Sequence, residues 1–217
     1  MLTVNDKLFI PQTGLDKTYS SINRVVGGNN DHSIFLIIQG YKEASFELIN
    51  NLLNDTKIDW LKLDSKIYPL VFLFRHYLEM ILKDTIRYES LISQKNYSDE
   101  VGFPPSHSLI ELWKELKPSI QKRYTFYGED LKRDCEKNDG IVEKLLTEIE
   151  DLDSGSYAFR YPFDRPTKTN KQIRYSLPSM TIDILNLKNV MQDLSDYLEG
   201  INEQAKVTLD EIQSNRE

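Results

Sequence analysis

Apolar positions recur three and four residues apart along most of this chain, the spacing of amphipathic helices. The strongest stretch is Leu70 to Tyr88, LVFLFRHYLEMILKDTIRY. It follows Pro69, a residue suited to a first helical turn, and it contains no Gly or Pro. At about 100° per residue, Leu73, Phe74, Tyr77, Leu78, Met80, Ile81 and Tyr88 share a broad apolar face. Arg75, His76, Glu79, Lys83 and Arg87 gather on the other side. The pattern predicts a central helix from Leu70 to about residue 94. An earlier helix over about residues 32–54, capped by Asn30 or Asp31, is expected to bury Phe35, Ile38, Tyr41, Phe46, Ile49, Leu52 and Leu53. In the linker 54–66, Trp60, Leu61 and Leu63 are expected to fold back on the core.

Beyond the central helix, Gly102, Pro104 and Pro105 mark a loop over 96–106. Leu109, Leu112, Trp113 and Leu116 then predict a short helix, opened by Ser106 or His107 and broken or redirected by Pro118. The charged segment 119–138 reads as an amphipathic helix interrupted near Gly128. Gly140 separates it from a further helix whose stripe is Ile141, Leu145, Ile149 and Leu152. Ser179 caps a last helix over about 180–214, held by Ile184, Leu187, Met191, Leu194, Leu198 and Ile201. Between these two, residues alternate on either side of Thr169-Asn170-Lys171, which predicts a small β-hairpin near residues 156–178. Pro162 and Pro166 make it an exposed one. The expected architecture is mostly α. An N-terminal arm, 1–30, with a short strand in LTVNDKLFIP, precedes a single domain, 31–217, built as a bundle of five or six helices.

Composition narrows the function. The formal charge of −7 disfavours generic binding to nucleic acid or anionic membranes, while leaving room for a local basic patch. Cys135 is the only cysteine, which rules out an intrachain disulfide or a thiolate metal cluster and suggests a reducing, cytoplasmic location. The first residues lack the basic segment and apolar run of a secretory signal. The longest strongly apolar run, Ile34 to Ile38, is too short to cross a bilayer, so no membrane association is expected. His32, His76 and His107 have no compact ligand spacing, so no metal is expected. The chain has no GxxxxGK[ST], strand-linked GxGxxG, GxSxG or CxxC motif. Nucleotide hydrolysis, dinucleotide-cofactor binding and serine-hydrolase chemistry are therefore disfavoured, and no cofactor is expected.

Three groups of residues could carry chemistry. Arg75, His76 and Glu79 pack an acid, a base and a cation into the most apolar segment. They form either a catalytic cluster, with His76 as acid/base and Arg75 on a phosphate, or an internal Arg75–Glu79 ion pair with a hydrogen-bonded His. His107 either joins that cluster or stands at a helix start as an exposed loop residue. Residues 157–175 form the one basic, aromatic island of an acidic chain. Arg160, Arg165, Lys168, Lys171 and Arg174 interleave there with Tyr157, Phe159, Tyr161, Phe163 and Tyr175 against a single acid, Asp164. Such a mixture suits RNA or a phosphorylated ligand, with bases stacked on rings and phosphates met by arginines. It equally suits a solvated hairpin whose rings pack on the bundle and whose lysines guard an edge.

The segments YPLVFLFRHYLEMILK, HSLIELW and DSGSYAFRYPFD stand in an order that resembles HEPN-like helical domains of bacterial proteins. The resemblance spans about residues 31–200. It implies a bundle of four or five helices, often dimeric and often encoded in toxin–antitoxin or anti-phage defence systems. Some members are metal-independent ribonucleases that use an Arg and a His four to six residues apart on a late helix. This sequence lacks that spacing: Arg75 and His76 are adjacent, and the 180–214 segment has no His.

Two readings follow. In the first, the chain is an interaction or sensor module with the 157–175 island as its contact surface and a homodimeric assembly. In the second, it is a ribonuclease effector with a composite site of Arg75, His76 and Glu79, joined by His107 and Arg160. The second requires Arg75, His76 and Arg160 to converge in one open pocket.

Overall fold

In the computed structural model the described residues are 31–55, 59–93, 102–126, 128–164 and 174–215. They form five helices: α1 (Asp31–Leu53), α2 (Trp60–Ser93), α3 (Leu109–Tyr124), α4 (Glu129–Leu152) and α5 (Ile184–Ser214). The arm 1–30 and its expected strand lie outside the described residues. The chain divides into two units, residues 1–37 and 38–217. The described part of the first is the start of α1, where Phe35, Leu36 and Ile37 are exposed.

The central helix is longer than its apolar stripe predicts. It starts not after Pro69 but at Trp60, just after Asp59, whose Oδ1 accepts the Lys62 N–H at 3.1 Å and whose carbonyl accepts the Leu63 N–H at 3.0 Å. At 34 residues it spans about 51 Å. Pro69 is tolerated inside it because only the carbonyl of Ser65 loses a donor, and that segment faces water. As a consequence Trp60 and Leu61 do not fold back on the core; they sit 70% and 80% exposed on the first turn. Pro118 likewise fails to break α3, since it too lies on an exposed face. Ser108 caps that helix by accepting the Glu111 N–H.

Burial follows α2. Leu70, Phe74, Tyr77, Leu78, Ile81 and Leu82 form the core line, and α3 and α5 pack along it. Paired side chains fix the directions. Tyr77 meets Glu199, Asp84 meets Asn202, and Tyr88 and Leu91 cluster with Ala205 and Leu209, so α5 runs parallel to α2. Lys117 with Glu143 and Tyr124 with Asp139 set α4 antiparallel to α3. Tyr41 against His76 and Phe46 against Phe74 set α1 antiparallel to α2. Of the residues expected to bury α1, Ile38, Ile49 and Leu52 do so, whereas Phe35 and Leu53 are exposed.

Two helical boundaries differ from expectation. Gly140 lies within α4, where a glycine on an open face costs only about 1 kcal/mol. The buried stripe of α4 is Asp139, Val142 and Leu146, one residue round from the expected Ile141, Leu145, Ile149 and Leu152; Ile141 is 48% exposed. The Asp139 carboxylate sets this rotation, because it is drawn inward by two tyrosine hydroxyls. The last helix starts at Ile184, capped by Asp183 rather than Ser179: Asp183 Oδ1 accepts the Asn186 N–H at 3.0 Å.

The expected β-hairpin near 156–178 is not formed by strands among the described residues. The Asp153 Oδ1 takes the N–H groups of Tyr157 and Ala158, which a strand would need for its ladder. A single helical turn results, with the Arg160 and Tyr161 N–H groups on the Tyr157 carbonyl. Gly155 (φ +74°) and Ser156 (φ +59°) make the reversal before it, a conformation glycine adopts without strain. One antiparallel bridge, Phe163 to Tyr175, closes the loop at its far end. The Asp164 N–H donates to the Arg174 carbonyl and the Ser176 N–H to the Pro162 carbonyl.

Candidate functional site

Arg75 is fully buried, and every direction of its guanidinium meets an acceptor. Nη1 donates to Glu79 Oε2 at 3.3 Å, Nη2 to the His107 carbonyl at 2.8 Å, and Nε to the Asp153 carbonyl at 3.1 Å. The carboxylates of Glu150 and Asp153 add charge at 3.7 and 3.6 Å. A buried cation is kept when it is paired and hydrogen-bonded, and this one is surrounded by three acids. Glu79 is as heavily used. Its Oε1 meets Lys83 Nζ at 3.0 Å and His107 Nδ1 at 2.8 Å. Burial alone would raise the Glu79 carboxyl, but the hydrogen bonds and charges of Lys83 and His107 outweigh it and hold it below the ordinary carboxylate range. Glu150 Oε2 also accepts the Leu109 N–H at 2.9 Å, so the same acid serves the start of α3.

His76 does not join this network through its ring. It lies half-buried between rings, edge-on to Tyr41 with centroids 4.3 Å apart and stacked on Phe72 at 6.2 Å. Burial lowers its basicity; Glu79 opposes this, while Arg75, Lys83 and Arg160 add to it. Tyr68, Phe72 and His76 are four apart and share one side of α2. Arg160 reaches this stripe from the 157–161 turn, its guanidinium 5.5 Å from the Phe72 ring and 5.6 Å from the Tyr161 ring.

Beside Arg160 opens a cleft of about 360 Å³, lined among others by Tyr68, Tyr161, Pro162, Tyr175 and Leu177. Its rings are wet: Tyr68 is 49%, Tyr161 48% and Tyr175 77% exposed. Tyr157 stacks on Tyr161 at 4.6 Å and Phe163 packs on Tyr175 at 5.4 Å. Arg160 and Arg174 are exposed. The Arg160 guanidinium and the tyrosine faces thus share one concavity, an arrangement able to hold planar, negatively charged ligands.

A second buried polar group links α3, α4 and α5. Asp139 is fully buried, and its Oδ1 accepts hydrogen bonds from the Tyr124 and Tyr197 hydroxyls, both at 2.9 Å. Burial pushes both phenols up, with the neighbouring tyrosine and Asp139 shaping the remainder, so both are neutral donors. Between α2 and α5 Tyr77 donates to Glu199, which Lys42 also grips at 2.7 Å through both oxygens.

The structure therefore separates the residues that the sequence groups. Arg75 and Glu79 form the internal ion pair. The His107 side chain is exposed, and its Nδ1 lies 2.8 Å from Glu79 Oε1. Arg75 has no open surface, and neither it nor His76 lines the cleft beside Arg160. The convergence that a composite Arg75, His76 and Arg160 site requires is absent. Arg165, Lys168 and Lys171 lie outside the described residues. The sequence reading misses Tyr68 because its predicted helix begins after Pro69, and Phe72 because it falls outside the apolar face assigned to that helix; their four-residue spacing to His76 is the signal that carries them. It missed Glu150 and Asp153 because partners this far apart in the chain leave no local pattern. Among the described residues no group of three His, Cys, Asp or Glu side chains could hold a metal, and no helix is long and apolar enough to cross a membrane. No family model, curated protein or solved structure matches this chain.

Proposed function

We propose that this helical bundle is a HEPN-like interaction or sensor module of a bacterial defence or toxin–antitoxin type system. It works without the Arg–His catalysis of active members. Its contact surface is the cleft beside Arg160, and its ligand is single-stranded RNA. The observation that carries this reading is the coincidence of wet tyrosines and the exposed Arg160 at one cleft of a protein whose net charge is −7. Exposed aromatics in such number mark a contact surface rather than a leftover of folding. Bases stack on tyrosine faces regardless of sequence, and arginines meet the backbone.

The sealed Arg75 supports a scaffold role for the central cluster. A catalytic guanidinium must reach a phosphate, whereas this one is enclosed by three carboxylates and two carbonyls. Filter binding with a single-stranded RNA at two salt concentrations tests the reading. Changing Arg160 and Arg174 to Ala is expected to weaken binding and to flatten its salt dependence by about one unit of slope for each phosphate no longer neutralised. Absence of binding by the unmodified protein at low salt refutes it.

A further inference from the structure

We propose that Arg75 is a positioning residue for the cleft: from inside the bundle it fixes, through Asp153, the turn that presents Arg160 and Tyr161. This rests on the reading of the cleft as the contact surface only for its consequence in binding; the positioning itself is a statement about the turn. The connection is continuous. Arg75 Nε holds the Asp153 carbonyl at 3.1 Å and faces Asp153 Oδ2 at 3.6 Å. The other oxygen of the same carboxylate accepts the N–H groups of Tyr157 and Ala158. The Tyr157 carbonyl in turn accepts the Arg160 and Tyr161 N–H groups. Ser176 Oγ then ties the turn to the far wall, its single hydroxyl proton shared between the Ala158 and Tyr161 carbonyls.

Asp153 itself is fully buried and ends α4. A buried carboxylate aims its two oxygens where its cations and donors lie, so a fixed Arg75 sets the direction of Oδ1 and hence the start of the turn. Arg75 is unusually fixed, because Glu79 and the His107 carbonyl accept hydrogen bonds from its other two nitrogens and the Glu150 carboxylate faces it at 3.7 Å. The backbone of the turn needs such a restraint. Ser156 is held at φ +59°, a conformation a non-glycine residue keeps only when its surroundings impose it. The sequence-level candidate for catalysis thus acts one layer behind the surface it was expected to belong to.

The test is amide hydrogen exchange of the full chain, comparing the unmodified protein with Arg75→Lys and Asp153→Asn. The Asp153→Asn change keeps an acceptor for the Tyr157 and Ala158 amides and removes the charge that Arg75 orients. The Arg75→Lys change keeps the positive charge and removes the fork of donors. Faster exchange confined to residues 157–161 in either variant, with α2 and α5 protected as before, is the expected result. A uniform rise across the helices, or no rise at 157–161, overturns the proposal. Should Arg75→Lys fail to fold, Asp153→Asn alone decides between these outcomes.

Binding to single-stranded RNA gives the second readout. Both variants are expected to lose affinity on the order of tenfold, the lower end of what removing a group that orients a metal ligand costs. Their salt slope should stay that of the unmodified protein, because Arg75 touches no phosphate, whereas Arg160→Ala lowers the slope. Unchanged affinity in the variants overturns the proposal. If the unmodified protein binds no RNA, the functional reading of the cleft falls, while exchange confined to 157–161 still supports Arg75 as the residue that positions this turn.

Discussion

Removing Glu79 is the most exposing perturbation of the core. Its carboxylate is 3% exposed and serves two cations and a histidine ring: Arg75 at 3.3 Å, Lys83 at 3.0 Å and His107 at 2.8 Å. In Glu79→Ala, Arg75 retains Glu150 and Asp153, but Lys83, with 7% of its side chain exposed, loses the acid beside it. Breaking a buried pair by deleting one partner costs about 3–5 kcal/mol. For a chain of this size each kcal/mol lowers Tm by roughly 2–4 °C, so the expected fall is on the order of 6–20 °C. Urea denaturation followed by circular dichroism measures the free energy, and a scanning melt measures Tm. A loss below about 0.5 kcal/mol, the level of plain surface substitutions, refutes the reasoning. The pH dependence gives an independent check. Glu79 is held below the ordinary carboxylate range in the folded state, so the unfolded chain binds its proton first on acidification. Its stabilisation is complete above the unfolded carboxylate value and is lost as pH falls through the folded one. Glu79→Gln should flatten stability over that acidic window; an unchanged profile places the acid sensitivity elsewhere.

Tyr124→Phe and Tyr197→Phe each remove one donor from the buried Asp139 Oδ1. Each should cost about 1–3 kcal/mol in urea denaturation, and the double variant should deviate from the sum because both hydroxyls serve one oxygen; strict additivity would show that the two do not share it. Ile141 on α4 and Leu185 and Val207 on α5 leave apolar side chains exposed, and the prediction drawn from these two helices is a homodimer. A monomeric mass by light scattering at tens of micromolar removes this expectation. Arg160→Ala and Arg174→Ala should leave Tm nearly unchanged, since both side chains are exposed; a large fall in Tm would mean that they serve the fold rather than a ligand.

Much of this fold is legible in the order of residues alone. Apolar spacing in the central segment, in Leu109 to Leu116 and in Met191 to Ile201 identifies α2, α3 and α5, because burial along one helical side needs only local periodicity. The Arg75–Glu79 pair is readable for the same reason: four residues on a helix bring two side chains together wherever the helix sits. What the sequence cannot express is whether a helix-breaking residue faces water. Pro69, Pro118 and Gly140 lie on exposed sides, and the helices run through them. Nor does periodicity show a polar group drawn inward. Asp139 turns α4 by one residue because Tyr124 and Tyr197, on two other helices, wait for its carboxylate. Asp153 does the same to the expected hairpin: it takes the amides of Tyr157 and Ala158 before a strand can form, and it is held in place by an arginine 78 residues earlier. The separation of Arg75 from Arg160, one sealed and one open, is decided only by packing, because exposure is a property of what covers a side chain and not of the chain that carries it.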